Sequence, residues 1–357
     1  MSHFKSGLDD ILMSEEEASN LTYFAFAKAN EAPRPVAPKA RGKGRNRSKG
    51  RSKAKPTAPV GELPDVLAGR YRLERLLGAG GMGAVYRARD LLHEQFGDPD
   101  PYIALKVMTE EFSESPDASA LLYSEFALAR RLRHPNVVRL HSFEVDTQCQ
   151  RAFITMELMR GLTLDKLLCE RPTGLPWQEL RDVVLPLLDA LAYCHARGVL
   201  HGDLKPSNVM LCEDGVRLFD FGLSQTEEGI LTGLPQLSRS RFNAWTPSYA
   251  APELLEGGVL SVNSDLYAVA CVIYELACGK HPFHRLPSTQ ARKERLDHEL
   301  QAPRNFPKHC WPVLQMALTF DPSARFTTFS HLQDVFREPA SWLKSWLNRR
   351  TGYGCHR

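Results

Sequence analysis

The stretch VLHGDLKPSNVML, residues 199–211, places an aspartate, a lysine and an asparagine at fixed offsets: Asp203, Lys205 and Asn208. These residue types at this spacing suit phosphoryl transfer to a hydroxyl. A carboxylate at Asp203 can orient an attacking hydroxyl and accept its proton, and Lys205 can neutralise charge on the moving phosphoryl group. The amide oxygen of Asn208 can bind a metal. Downstream, VRLFDFGLS at 216–224 offers Asp220 as a second metal ligand between two strand-like segments. Magnesium takes oxygen ligands and keeps several waters, so a few protein oxygens plus phosphates complete its shell.

Such chemistry needs a phosphate donor held in place, and two earlier stretches offer the parts. GAGGMGAVY at 78–86 sets Gly78, Gly80 and Gly83 as G-x-G-x-x-G, with Ala79 between the first two. Glycines let backbone N–H groups approach phosphates closely. Alone the motif fits a nucleotide loop, a dinucleotide fold or an ordinary turn. Here it leads into a strand, not a helix, and no ribose-binding acid follows at the dinucleotide spacing. IALKV at 103–107 then puts Lys106 in an apolar strand, where a charge needs a partner. Glu125, in LLYSEFALARRLRHPN, is the candidate.

Several elements must bring these residues together. Short strands are expected for YRLERLLG, AVYRARD and YIALKVM, the first beginning at Tyr71, with the turn-rich FGDPDP before the third. An amphipathic helix over 117–133 and a strand at RAFITMELM follow. Helical periodicity dominates at 177–197, 263–279, 309–319 and 328–337. The pattern is α+β: a small strand-rich lobe, then a larger helical lobe.

In their order along the chain these elements resemble the eukaryotic-type (Hanks-type) protein kinase family over about residues 71–337, in a form similar to its bacterial members. The signature set comprises a Gly-rich loop, strand lysine, helix glutamate, catalytic loop, D-F-G and A-P-E. Here it reads Gly78/Gly80/Gly83, Lys106, Glu125, Asp203 with Asn208, Asp220-Phe221-Gly222 and Ala251-Pro252-Glu253. The resemblance implies a two-lobed kinase fold that uses ATP with magnesium, or with manganese in its place. It further implies that Met156 is the gatekeeper and that Glu157 carbonyl and Met159 N–H bind the adenine edge. Val85, Ala104 and Met210 would sandwich the ring, though each also suits an ordinary core. Asp265 resembles the helix aspartate that braces the catalytic loop, and Arg325 the arginine that pairs with Glu253. Lys205 and Thr246 resemble serine/threonine rather than tyrosine kinases, so protein Ser/Thr hydroxyls are the expected acceptors.

The sequence departs from the family at Gly202, where most members carry the arginine of His-Arg-Asp. That arginine helps dock a phosphorylated activation segment. Its absence implies an activity that does not depend strongly on a phosphate there, although Thr232, Ser238 and Ser240 lie in the segment 220–253 beside Arg239 and Arg241. His-Gly-Asp is also similar to small-molecule kinases of the aminoglycoside phosphotransferase type, and a catalytically silent scaffold is a further alternative. APELLEGG, GKHPF, DPSARF and TPSY resemble the protein-substrate half of a protein kinase, and no catalytic position is lost.

Composition bounds the rest. The chain has 357 residues, is 43% hydrophobic and carries a net charge of +3. Residues 33–60 hold ten Lys or Arg and no Asp or Glu, which leaves the remainder net acidic. This Pro/Gly/Ser-rich arm reads as a solvated linker, with binding of a polyanion or an acidic partner as the alternative. The expected organisation is a segment at 1–32 with room for one short helix, a linker at 33–65, and a kinase domain at 66–338 divided near 157. A tail at 339–357 follows, whose Trp342, Leu343, Trp346 and Leu347 share a helical face for packing on the body, a partner or a membrane surface. Eight scattered cysteines form no Cys-x-x-Cys pair, which favours a reducing cytoplasm over a disulfide or zinc framework. No signal peptide is expected at the N-terminus, and the longest apolar run, 266–279, is too short to span a bilayer and contains Glu275.

Overall fold

The computed structural model describes residues 63–79, 83–108, 118–222, 224–226, 245–304 and 306–337. The segment 1–32, the basic arm, the tail at 339–357 and Gly80 lie outside the described residues, as do Thr232, Ser238, Arg239, Ser240 and Arg241.

Six strands form the first sheet: β1 (Val66–Leu67), β2 (Tyr71–Ala79), β3 (Gly83–Asp90), β4 (Tyr102–Met108), β5 (Leu140–Asp146) and β6 (Arg151–Met156). Their order is β1-β2-β3-β4-β6-β5, antiparallel at every pairing. Apart from Lys106, β4 is built of apolar and aromatic residues and is buried from Ala104 to Met108, which suits a central strand covered on both faces. One face carries Leu67, Tyr71, Ala88, Leu105, Val107 and Phe153 as a small core. Helix α2 (Ala118–Ala129) covers the other with Leu122 and Phe126. A five-residue helix, α1 (Leu91–Gln95), precedes the FGDPDP turn and is capped by the Asp90 carboxylate. β1, pairing Val66 and Leu67 with β2, extends the sheet ahead of the expected start at Tyr71.

The second half is helical. After β7 (Gly161–Thr163) come α3 (Leu164–Glu170) and α4 (Trp177–His195). In α4, Leu180, Val183, Val184, Leu187, Leu188 and Leu191 recur at spacings of three and four and are buried. A hairpin of β9 (Val209–Cys212) and β10 (Gly215–Leu218) pairs with β7, and β8 (Val199–Leu200) pairs with β11 (Gln225–Thr226). Then follow α5 (Pro252–Leu255), α6 (Val262–Cys278), α7 (Ser288–Lys293), α8 (Trp311–Ala317) and α9 (Phe329–Arg337). α6 starts on a Ser261–Ser264 capping box, ends on left-handed Gly279 and is buried around most of its circumference. It is the rod on which the helical half is built. The architecture is α+β, a strand-rich half followed by a larger helical half, as the sequence pattern leads one to expect. None of the described helices is long and apolar enough to cross a membrane.

Candidate active site

Lys106 stands on β4, 7% exposed, with Val85 of β3 as its cross-strand neighbour. Its Nζ donates to both Glu125 oxygens at 2.8 and 2.9 Å and to Asp220 Oδ1 at 2.8 Å. Burial works against the ammonium, but the two carboxylates override it and raise its pKa, so the cation persists. Burial likewise pushes Asp220 up, yet the Lys106 charge holds it down at about 2. Glu125 is raised, because burial and the nearby Asp220 charge outweigh its pairing with Lys106. The Asp220 side chain is 42% exposed and its backbone takes a φ of +63°, in the left-handed region.

Gly78 and Ala79 end β2, and Gly83 opens β3. A Cβ on Gly83 would meet the Val107 carbonyl oxygen at 2.7 Å, so only glycine lets β3 approach β4 here. Val85, Ala104 and Met156 follow on the same sheet, with Ala104 opposite Met156. Glu157 and Met159 lie in the connection from β6 to β7, and Met210 pairs with Thr163 across β9 and β7. Glu157 also turns its carboxylate back onto the Arg139 N–H at 2.7 Å, which pins this hinge.

The catalytic loop is fixed from beneath. Asp265, buried near the start of α6, accepts from His195 Nε2 at 2.9 Å, His201 N at 2.8 Å and Gly202 N at 2.9 Å. Burial would raise its carboxyl, but the hydrogen bond from His195 and the neighbouring charge hold it below the usual range. His201 donates from Nε2 to the Phe219 carbonyl at 3.1 Å and accepts at Nδ1 from Asp203 N at 3.3 Å, which joins the loop to the D-F-G strand. Gly202 has a φ of +82°.

Above this base Asp203, Lys205 and Thr246 close a triangle. Lys205 Nζ donates to Asp203 Oδ2 at 2.6 Å and to Thr246 Oγ1 at 2.9 Å, and Thr246 Oγ1 donates to Asp203 Oδ1 at 2.9 Å. Asn208 Nδ2 donates to the Asp203 carbonyl at 2.8 Å, which leaves the amide oxygen as the group free to ligate. That oxygen and the Asp220 carboxylate form an all-oxygen donor set, the kind magnesium takes. Further out, Arg325 binds Glu253 through two nitrogens at 2.7 and 2.9 Å, locking the A-P-E segment to the helical half.

Hydrogen bonds thus join Lys106, Glu125 and Asp220 in one group and Asp203, Lys205 and Asn208 in another. Sequence reasoning missed His195 as a partner of Asp265 and Thr246 as a direct partner of Asp203. These contacts span 70 and 43 residues.

A family model described as a protein kinase domain matches residues 71–337. The serine/threonine-protein kinase PkaA of Streptomyces coelicolor is 32% identical over 265 residues, 72% of this chain and 47% of that protein. The DNA damage-responsive serine/threonine-protein kinase RqkA of Deinococcus radiodurans is 39% identical over 220 residues, 61% of this chain and 31% of that protein. The chain therefore spans about half, or less, of the length of these relatives. The crystal structure of the Mycobacterium tuberculosis PknI kinase domain aligns with 28% identity over 76% of this chain and 96% of its own, at a TM-score of 0.55. On the full motif set, the matched domain and the shared fold, the chain belongs to the protein kinase family, among relatives named as serine/threonine kinases.

Proposed function

We propose that the chain transfers the γ-phosphoryl group of magnesium ATP to serine or threonine hydroxyls of protein substrates, and that it works in the cytoplasm. The observation that carries this reading is the triangle of Asp203, Lys205 and Thr246 beside Asn208. Asp203 orients the acceptor hydroxyl and takes its proton as the oxygen attacks. Lys205, already on the same carboxylate, follows the charge that develops on the transferred group. Asn208 and Asp220 would hold the metal, and Lys106, fixed by Glu125, would meet the α- and β-phosphates. Magnesium ATP supplies the transferable group and neutralises the phosphate charge. Val85, Ala104, Met156 and Met210 would clasp the adenine, with the Glu157 carbonyl and Met159 N–H on its edge. Gly78, Ala79, Gly80 and Gly83 would cover the phosphates. The working domain runs from 66 to 338, and the chain modifies itself as well as other proteins.

The test is transfer from labelled ATP to a generic basic protein, with Asp203→Asn run in parallel. Phosphoserine or phosphothreonine is expected, with a loss of about 10²–10⁴-fold in the variant and nucleotide binding retained. Labelling only of small hydroxylated molecules would instead place the chain with the aminoglycoside-type kinases.

A further inference from the structure

The sheet and the hinge that follows it are joined by a charge pair that the transfer step does not use. β4 and β6 run antiparallel, and their last pairing toward the hinge is Ala104 with Met156. Past it the two strands part: β6 runs on into Glu157, Leu158 and Met159, and the chain before β4 turns away at 96–101. Four residues out on either strand the gap is closed again. Arg160 Nη2 donates to both Asp100 oxygens, at 2.8 and 2.9 Å. The segment proposed to meet the adenine edge therefore lies inside a ring, sealed at one end by the strand ladder and at the other by this pair.

Both flanks of the ring are held. On the Asp100 side, Asp90 N donates to the Pro101 carbonyl at 2.7 Å, which closes the loop 90–101 on itself. Arg70 binds the Asp90 carboxylate through Nε and Nη2 at 2.9 and 2.6 Å, and that carboxylate caps α1. Arg89 ties α1 to β4, donating to Glu94 at 2.7 Å and to the Tyr102 hydroxyl at 3.0 Å. Asp98 Oδ1 accepts from Asp100 N at 3.0 Å, which fixes the backbone that carries the Asp100 carboxylate. On the hinge side, Glu157 N donates to the Arg139 carbonyl at 3.0 Å, and the Glu157 carboxylate accepts from Arg139 N at 2.7 Å. The connection is thus pinned to the start of β5 at one end and to the loop 90–101 at the other, with Met159 between. Among the described hydrogen bonds Arg160 has no acceptor other than Asp100. The two side chains are 67% and 56% exposed. A carboxylate already set by its own loop loses less freedom on pairing than one on a mobile chain, which places this pair at the upper end of what exposed pairs contribute.

We infer that Asp100 is a positioning residue for the nucleotide: through Arg160 it fixes the spacing between Ala104 on the sheet and the hinge groups that receive the adenine edge. This rests on the adenine reading given above. In it Asp100 touches neither the nucleotide nor the acceptor hydroxyl. Its removal therefore weakens ATP binding equally before and during transfer, which raises KM and leaves kcat in place. Because both side chains are largely exposed, the effect is modest and is screened by salt.

The experiment measures kcat and KM for magnesium ATP with the whole chain and a generic basic protein as acceptor. It compares the wild type with Asp100→Ala, Asp100→Arg, Arg160→Asp and the combination of the two reversals. Asp100→Ala should raise KM for ATP about threefold with kcat within about twofold, the scale of one well-held exposed pair. Each single reversal should raise KM further. The combined reversal should bring it back to within about twofold of wild type, a recovery that two separate structural roles would not give. At about 0.5 M salt the ratio of KM between Asp100→Ala and wild type should shrink toward one. An unchanged KM in Asp100→Ala overturns the inference and leaves the kinase reading standing, and so do single reversals whose losses simply add in the combination. A lower kcat at unchanged KM also overturns it, since the pair would then act on the transfer step. Failure of the wild type to bind or turn over magnesium ATP would remove the adenine reading as well. If a reversal does not fold, Asp100→Asn and the salt series still decide the matter.

Discussion

At Gly202 the backbone sits at a φ of +82°, between His201 and Asp203, and the N–H groups of His201 and Gly202 are both held by Asp265. A side chain there must adopt the left-handed region, at a cost of about 1–2 kcal/mol. Gly202→Ala should therefore lower the melting temperature by several degrees, read by thermal unfolding. Lys106 raises a different issue. Lys106→Met would leave Glu125 and Asp220 without their shared cation, and breaking a buried pair costs about 3–5 kcal/mol. The variant should lose stability as well as turnover, whereas Glu125→Gln, which leaves Asp220 on Lys106, should lose turnover with a smaller effect on unfolding. Comparing denaturant midpoints of the two variants checks this. These positions were legible because each motif residue carries its chemistry in a fixed local frame. Thr246 and His195 were not read as contacts, since nothing in the spacing of TPSY or of AYCHARG specifies a partner tens of residues away.

The longer elements follow hydrophobic periodicity, and α4 and α6 lie close to the segments their apolar spacing marks. The short ones do not. β8 and β11 are two residues each and exist because the chain on either side brings them together. α1 depends on one capping carboxylate. The loop after α6 has its own titration. Burial, with Arg285 nearby, depresses His281 to about 3, against about 6.5 in an unfolded chain. Between those values the unfolded chain binds a proton that the fold refuses, so stability is full above about pH 6.5 and declines as pH falls. The decline is about 1.4 kcal/mol per unit, or about 2 kcal/mol at pH 5. His281→Gln should unfold with a shallower dependence over pH 7 to 5, measured by urea denaturation at each pH. An identical slope would mean that His281 is charged in the fold.

For the whole molecule, the decisive link is the one from Lys106 on the sheet to Asp220 on the helical half. A nucleotide and metal that engage both should stabilise the fold. At a hundred times the dissociation constant the gain is about 2.7 kcal/mol, several degrees in melting temperature for a domain of this size. EDTA should remove the magnesium-dependent part, and Asp220→Asn should abolish the same part without EDTA. The basic arm makes a contrasting prediction: deleting 33–60 should leave peptide phosphorylation unchanged if it is a linker, while a polyanion role would appear as salt-dependent binding lost on deletion.

Helix α6 carries both Asp265, which sets the catalytic loop, and Glu275, which sets Tyr249 and Arg285. Ten residues of helix place the two about 15 Å apart on one stiff axis. The brace of the loop at 201–203 and the anchor of the segment after α6 are therefore cut from a single piece of chain. A recombinant that exchanges the loop after α6 with that of a relative must bring a partner suited to Glu275. One that exchanges the helix itself inherits the donor's geometry at both anchors.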